Sequence, residues 1–350
     1  MRWLAGLFLC VCLAAFSPLP TAALPVFAHR YGLTCQACHS TVPRLNTFGE
    51  AFRASGFALP NARGVFPAAI KVQLAYSSDP DPTGLPKGIV DEVELLSGGT
   101  AGKNTNFFIE QYVVDGGRPG LPREAWLQFT SAKAHLKIGQ FELPLPVELE
   151  SERETLAHYA LYDQSVGANT FTFFDPRIGV DASFGNDDGL RAHFLALHAY
   201  DPQTTTPRSG IDLMGSVAKS FGPLEVQTYR YSGRRNFAVQ DNFWRQGYVA
   251  TLEREKFWLT GALQTGNDSS ADAAGAAARS SGGFFQTGYR FTDAFAMVAR
   301  YEGTADELSG LQRRFVLGAI ARPRRNMRFT IEGVRAQSHT ATNLGLLFAY

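Results

Sequence analysis

Charge, cysteine and long hydrophobic runs are all scarce in this chain, and each shortage excludes something. Only 19% of its 350 residues are charged, against about 25% in ordinary soluble domains. Lys and Arg number 33 and Asp and Glu 32, leaving a formal net charge of +1. With that balance and scattered basic residues there is no long-range attraction for nucleic acid or acidic membranes, and no nucleic-acid partner is expected. The 34 glycines follow no triplet period, which excludes collagen. Disorder is excluded by a 45% hydrophobic content, ample apolar surface to offset chain entropy.

The one long apolar run lies at the extreme N-terminus. Arg2 precedes Trp3 to Phe16, and Ser17-Pro18-Leu19-Pro20 and the small residues Thr21, Ala22 and Ala23 follow. A basic start, an apolar centre too short to span and a small-residue end describe a secretory signal peptide over residues 1–23. Cys10 and Cys12 lack the small residues a lipoprotein signal places before its cysteine, so no lipidation is expected. Both leave with the signal, and the other two of the four cysteines share one motif.

That motif is Cys35-Gln36-Ala37-Cys38-His39. C-x-x-C-H is the attachment site of haem c: both thiols add to the haem vinyl groups, and the adjacent imidazole ligates iron. Cys35 and Cys38 are therefore the candidate cofactor-binding residues, and His39 is the candidate axial metal ligand. A disulfide between residues three apart closes a trivial loop. A zinc site needs further Cys or His ligands at similar spacing, and a thioredoxin-like pair needs a βαβ context; the sequence has neither. Beyond the motif, Val42, Leu45, Phe48 and Phe52 recur at three- and four-residue steps, predicting a short amphipathic helix with Pro43 in its first turn and Gly56 as its stop. The segment 24–65 is too small to enclose a haem alone, so the rest of the chain must complete the pocket.

From Phe66 onward the pattern is period-two alternation, as in Ile70, Val72, Leu74 and Tyr76, or Phe285, Thr287, Tyr289 and Phe291. About sixteen such segments are predicted, near 66–76, 89–97, 105–114, 122–131, 133–141, 176–184, 189–200, 210–221, 223–232, 243–253, 255–265, 283–291, 294–302, 311–321, 326–335 and 342–350. Their length is what a tilted strand needs to cross a bilayer. Connections after odd segments are generally longer, as at Ser77-Ser78-Asp79-Pro80-Asp81-Pro82, Asp201-Pro202-Gln203-Thr204 and the Ala/Ser/Gly run Gly266–Gly283. Those after even segments are tight, as at Gly222-Pro223. Long loops on one side and short turns on the other mark an outer-membrane barrel, as do aromatics near the strand ends and a terminal Tyr350. The expectation is an all-β fold: a transmembrane antiparallel barrel of about sixteen strands over 66–350, preceded by a small helical haem-binding segment. A soluble sandwich is the competing reading, favoured around Leu190 to Tyr200, where apolar residues take both parities. About thirty residues separate the fifth and sixth segments, carrying Glu148, Glu150, Glu152, Arg153, Glu154 and His158. A loop that long is usually functional, and in a barrel it would fold inward or cover the mouth.

Phe27-Ala28, Tyr31-Gly32, Cys35-x-x-Cys38-His39, Pro43, Leu45-Asn46, Phe48-Gly49, Phe52, Gly56 and Phe57 together resemble the N-terminal signature of fused outer-membrane monohaem cytochrome–porins. The best-known members belong to iron-oxidising bacteria. The likeness covers about thirty residues; the barrel matches in architecture, and Gly139–Pro144 is similar to a strand-end motif of substrate-selective porins. It implies one covalent haem c at or inside the barrel, anchored by Cys35 and Cys38 with His39 as proximal ligand. It further implies electron transfer across the outer membrane, a periplasmic electron-carrier cytochrome as partner, and an extracellular electron donor or acceptor, ferrous iron in some members. No iron-binding cluster is identifiable in the sequence. For a sixth haem ligand, His158 and His135 rank first, then His29, with His193, His198, His339, Met214, Met297 and Met327 behind and five-coordinate iron as another arrangement. Two further functions compete: a porin-type solute channel whose haem segment is a plug, and a soluble periplasmic cytochrome with a β accessory domain.

Overall fold

The computed structural model describes residues 26–41, 44–59, 68–78, 90–131, 133–147, 153–185, 189–199, 210–236, 239–324, 326–337 and 339–349. The signal segment 1–23, Val42, Pro43, Pro80, Pro82, Glu148, Glu150, Glu152, the 201–204 turn and Tyr350 lie outside the described residues. The N-terminal part holds helices α1 (Val26–Tyr31) and α2 (Cys35–Cys38), the short strands β1 (His39–Thr41) and β2 (Arg44–Leu45), and helix α3 (Thr47–Ala54). The wall begins with β3 (Ala68–Ser77), β4 (Val90–Gly102), β5 (Thr105–Asp115), the two-residue β6 (Arg118–Pro119), β7 (Pro122–Thr130) and β8 (Ala134–Phe141). It continues through β9 (Arg177–Gly185), β10 (Leu190–His198), β11 (Ile211–Phe221), β12 (Leu224–Asn236), β13 (Gln240–Arg254) and β14 (Phe257–Asp268). Last come β15 (Ala278–Thr292), β16 (Phe295–Asp306), β17 (Gly310–Arg324), β18 (Met327–Ala336) and β19 (Thr340–Ala349).

Sequence neighbours pair antiparallel throughout, β5 pairs directly with β7 past the β6 arm, and β19 pairs with β3 from Asn343↔Ser77 to Ala349↔Lys71. Sixteen strands thus close into a ring with no free edge. The connections after β4, β7, β9, β11, β13, β15 and β17 are two to four residues long, and the longer ones gather at the other end. Alternation decides which side faces out. In β11, Asp212, Met214, Ser216 and Ala218 are buried, whereas Ile211 and Leu213 are 72% and 58% exposed. An apolar outer wall on a closed ring overturns the soluble alternative, because water would leave that surface unsatisfied.

Three local expectations need correction. The helix does not start at the Val42–Leu45 turn: Leu45 belongs to β2, and α3 starts at Thr47 because Asn46 caps it by accepting from the Gly49 amide at 2.9 Å. Gly56, at φ 74°, does end it. Half of the Gly266–Gly283 run is strand, and the connection there is only 269–277. The mixed parity around Leu195 and Leu197 reflects a lumen filled by apolar side chains at that height, not a soluble sheet.

Candidate functional site

The lumen is filled by two pieces of chain. The first is the motif-bearing segment 26–59. Its Phe27 packs against Phe108 of β5, and Phe57 against Phe108 and Trp126 of β7. Asn106 Nδ2 donates to the Ser55 carbonyl at 2.9 Å, and Gln128 Nε2 to the Ala54 carbonyl at 2.8 Å. At Gly98 of β4 an added Cβ would stand 2.9 Å from the Phe27 ring, so only glycine admits the segment this close. On the opposite wall, Arg44 Nε donates to Glu253 of β13 at 2.9 Å, and Arg290 of β15 donates to the Ser40 carbonyl. β4–β7 and β13–β15 are half a ring apart. The segment therefore bridges the barrel near its short-turn end.

The second piece is the 142–176 connection, which folds inward as expected. Leu143, Leu145, Tyr159, Leu161, Tyr162, Phe171 and Phe173 form one apolar core with wall residues such as Leu195, Leu197, Met214, Tyr229, Tyr231 and Phe284. Its backbone is held by buried charges. Glu332 accepts from the Leu156 and Ala157 amides at 2.8 and 2.7 Å. Arg300, wholly buried, donates to Thr155 Oγ1 and to the Ala157 and His158 carbonyls at 2.8 Å each. Asn169 donates to Asp241 and Asp268, both at 2.8 Å.

The two pieces meet at Arg44 and Glu154, 3.7 Å apart. Both hydrogen bonds to the Glu154 side chain, from Trp258 Nε1 at 3.1 Å and from Gln286, go to Oε2, and Oε1 has no hydrogen-bond partner. Burial pushes the Glu154 carboxyl up, and the opposing pull of Arg44 and of the Trp258 bond does not cancel it. Burial pushes Arg44 down, but Glu154 and Glu253 outweigh it and hold the guanidinium above its usual value. Tyr159 is pushed up to about 12, first by burial and then by Glu154. Charge on the Glu154 side chain is thus strained by burial while Arg44 keeps its own.

Positions 35 and 38 span the single turn of α2, and His39 opens β1. Asn46 locks that turn. Its amide N donates to the Cys38 carbonyl at 2.8 Å, and its Nδ2 donates to the Gln36 and Ala37 carbonyls at 3.3 and 3.1 Å. A Cβ on Gly49 would sit 2.1 Å from the Cys38 carbonyl oxygen, so α3 packs backbone to backbone on the motif. Cys38 and His39 are half-buried, and nearby Phe48 of α3 is 42% exposed.

The candidate sixth ligands are spread out. His135 faces the lumen beside Lys137, at the short-turn end where the motif segment docks. His193 also faces inward, its Nδ1 2.9 Å from Asp181. His158 sits on the inward loop with its ring stacked on Phe174 at 4.3 Å. The side chain of His29 lies outside the described residues. Met214 is buried in the lumen core, Met297 points outward, and His198 is exposed on the outer wall. Among the described residues no three His, Cys, Asp or Glu side chains gather as a metal site. Two contributors escaped the sequence reading. Asn46 was visible only as part of a family signature, and Arg44 gave no signal, because nothing local links it to a residue 110 positions on.

No protein-family model matches the chain, and no curated protein does. Solved structures do. An anion-selective porin from Comamonas acidovorans aligns with a TM-score of 0.62 at 12% identity, covering 82% of this chain and 99% of that one. OmpF of Salmonella typhi, in complex with daunomycin, gives 0.62 at 11% identity over 85% and 99%. The outer membrane channel DcaP of Acinetobacter baumannii gives 0.59 at 9% identity over 81% and 96%. Identities this low establish the fold. A closed antiparallel barrel with an apolar outer wall is one of two architectures that satisfy every backbone group in lipid. The chain is a porin-like β-barrel protein of the Gram-negative outer membrane.

Proposed function

We propose that this protein carries electrons across the outer membrane by means of one haem c attached to Cys35 and Cys38, with His39 as an axial ligand. What supports the reading most is the pairing of a C-x-x-C-H motif with its address: the segment that bears it is folded inside a membrane barrel. The residues fit the group. Both thiol positions share one helical turn, the imidazole follows directly, and Phe48 leaves apolar surface beside them for a flat macrocycle to cover. A haem held there would supply one-electron oxidation and reduction in a membrane that electrons do not otherwise cross. The protein's own part is positional: Asn46 and Gly49 fix the motif, Asn106, Gln128 and Arg290 dock it on the wall, and the inward loop excludes water above it. The reading implies an electron-carrier cytochrome on the periplasmic side and a donor or acceptor outside, with ferrous iron as the donor that the resemblance to cytochrome–porins suggests.

The porin fold itself favours a second reading, a solute channel with the segment as its plug. Against that stands a lumen packed with aromatic side chains from Tyr159 to Phe284. Liposomes separate the two. Purified protein in vesicles is expected to reduce an enclosed dye from an external donor without releasing trapped sugars. Sugar efflux without electron flux would overturn the conduit, as would absence of haem staining on the protein exported from a host that matures cytochromes c.

A further inference from the structure

Along β12–β18 the outer wall carries charge where an apolar band is expected, and all of one sign. Inside the barrel, arginines have acid partners: Arg235 with Asp212 at 2.7 Å, Arg245 with Asp268 at 2.8 Å, Arg300 with Glu302 at 3.2 Å. Outside, Arg230 and Arg234 of β12, Arg279 of β15, Arg313 of β17 and Arg335 of β18 are exposed and take the outward parity of their strands. Among the described residues none of the five guanidinium groups forms an ion pair with a carboxylate, although the backbone amides of Arg234 and Arg279 donate to Asp212 and Glu307 at 3.1 and 3.0 Å. Every carboxylate in β12–β18, such as Asp241, Glu302 and Glu332, takes the inward parity.

The five are also placed together. Arg234, Arg279, Arg313 and Arg335 lie one to three residues from the loop end of their strands, the extracellular end of an outer-membrane barrel. Exposed outward aromatics, Tyr248, Phe285, Tyr301 and Phe315, lie on the same wall, as an interfacial girdle does. Arg230 is set deeper, six residues from the end of β12, with its guanidinium over the outward Trp244 ring at 4.6 Å. Arginine on a lipid-facing wall is disfavoured more steeply the deeper it lies, and among the described residues no ion pair to these guanidinium groups offsets that. Guanidinium forks match phosphate oxygens two at a time.

We infer that the outer wall of β12–β18 binds the phosphate groups of an anionic lipid of the outer leaflet. The belt crosses seven strands of a convex wall, near the headgroup level, which suits a row of lipid headgroups better than one compact protein partner. This inference rests on the barrel and its membrane, and stands whether or not the chain carries haem.

The test uses the full chain in detergent micelles, titrated with a bisphosphorylated glycolipid, its dephosphorylated counterpart and inorganic phosphate, and followed by native mass spectrometry and thermal melting. The phosphorylated lipid is expected to bind at least tenfold more tightly than the dephosphorylated one and to raise the melting midpoint. Replacing Arg230, Arg234, Arg279, Arg313 and Arg335 by Gln should abolish that preference. Replacing all five by Lys should keep part of it, which guards against a Gln variant that fails to fold. Equal binding of the dephosphorylated lipid would overturn the inference. So would inorganic phosphate reproducing the midpoint shift, an undiminished preference in a folded Gln variant, or a wild-type dimer that the Gln variant dissolves.

Discussion

Asn46→Ala should loosen the Cys35–His39 turn without touching either cysteine, His39 or the barrel. Asn46 does two separable jobs. Its Oδ1 accepts from the Gly49 amide at 2.9 Å and caps α3, while its Nδ2 donates to the Gln36 and Ala37 carbonyls at 3.3 and 3.1 Å and closes the motif turn. Losing an N-cap costs about 1 kcal/mol. The two Nδ2 bonds are partly open to water and contribute about 0.5 kcal/mol each. The sum, about 2 kcal/mol, is roughly a 30-fold rise in the local opening equilibrium. Amide hydrogen exchange of the full chain reads this directly at Gly49 and Glu50, whose amides are bonded to Asn46 Oδ1 and the Asn46 carbonyl. Asn46→Asp keeps the cap and gains a favourable charge at the helix start, but loses both donations. It should fall between wild type and Ala, near a fivefold rise on the same scale. If Asn46→Ala changes exchange by less than about threefold, or if Asp is as loose as Ala, Asn46 is not the clamp described here.

Two further outcomes test the junction and the inward loop. The Glu154 carboxyl is raised by burial, so the folded state favours its protonated form. That contribution is present at low pH and is lost as pH rises from the ordinary carboxylate value through the raised one. Stability should therefore fall across that window, and Glu154→Gln should flatten the slope of denaturation midpoint against pH; an unchanged slope would remove Glu154 as its source. Arg300→Met strips three bonds from the loop, two of them to backbone carbonyls, and one partner from buried Glu302, which Arg314 still faces at 2.7 Å. Breaking a buried pair this way costs about 3–5 kcal/mol, and protease cleavage within 153–160 should rise while the barrel stays heat-modifiable on gels. Uncut loop in a folded Arg300→Met barrel would mean that the apolar core alone holds it.

How far the sequence could be read follows from which contacts are local. Strand existence was legible at all sixteen positions because period-two alternation needs only neighbours, as in Ile70 to Tyr76. Loop asymmetry was legible for the same reason, since turn chemistry is carried by adjacent residues such as Gly222 and Pro223. The motif was legible because its residues, Cys35 to His39, are consecutive. What stayed hidden is what spans the lumen: Arg44 to Glu154 and Glu253, Arg300 to the loop carbonyls, and Asn169 to Asp241 and Asp268. Each joins residues at least 70 positions apart, and a barrel brings them together only once it has closed.

One local failure carried information that the successes did not. Around Leu195 and Leu197 the inward parity is apolar, where a water-filled pore would demand polar residues. Met214, Tyr229, Tyr231 and Phe243 repeat the pattern on β11–β13, and all of them belong to the core that Tyr162, Phe171 and Phe173 complete from the inward loop. Apolar residues on both faces of a bilayer-length strand therefore mark the stretch of wall that a plug must cover. In this chain the marked strands are among those the 142–176 connection reaches, while the polar inward residues of β5 and β7, Asn106 and Gln128, take the carbonyls that end α3. Both inserts thus combine the two chemistries: the loop adds bonds to Arg300, Glu332 and Asp241 to its apolar packing, and the motif segment adds Phe27 and Phe57 on Phe108 and Trp126 to its hydrogen bonds.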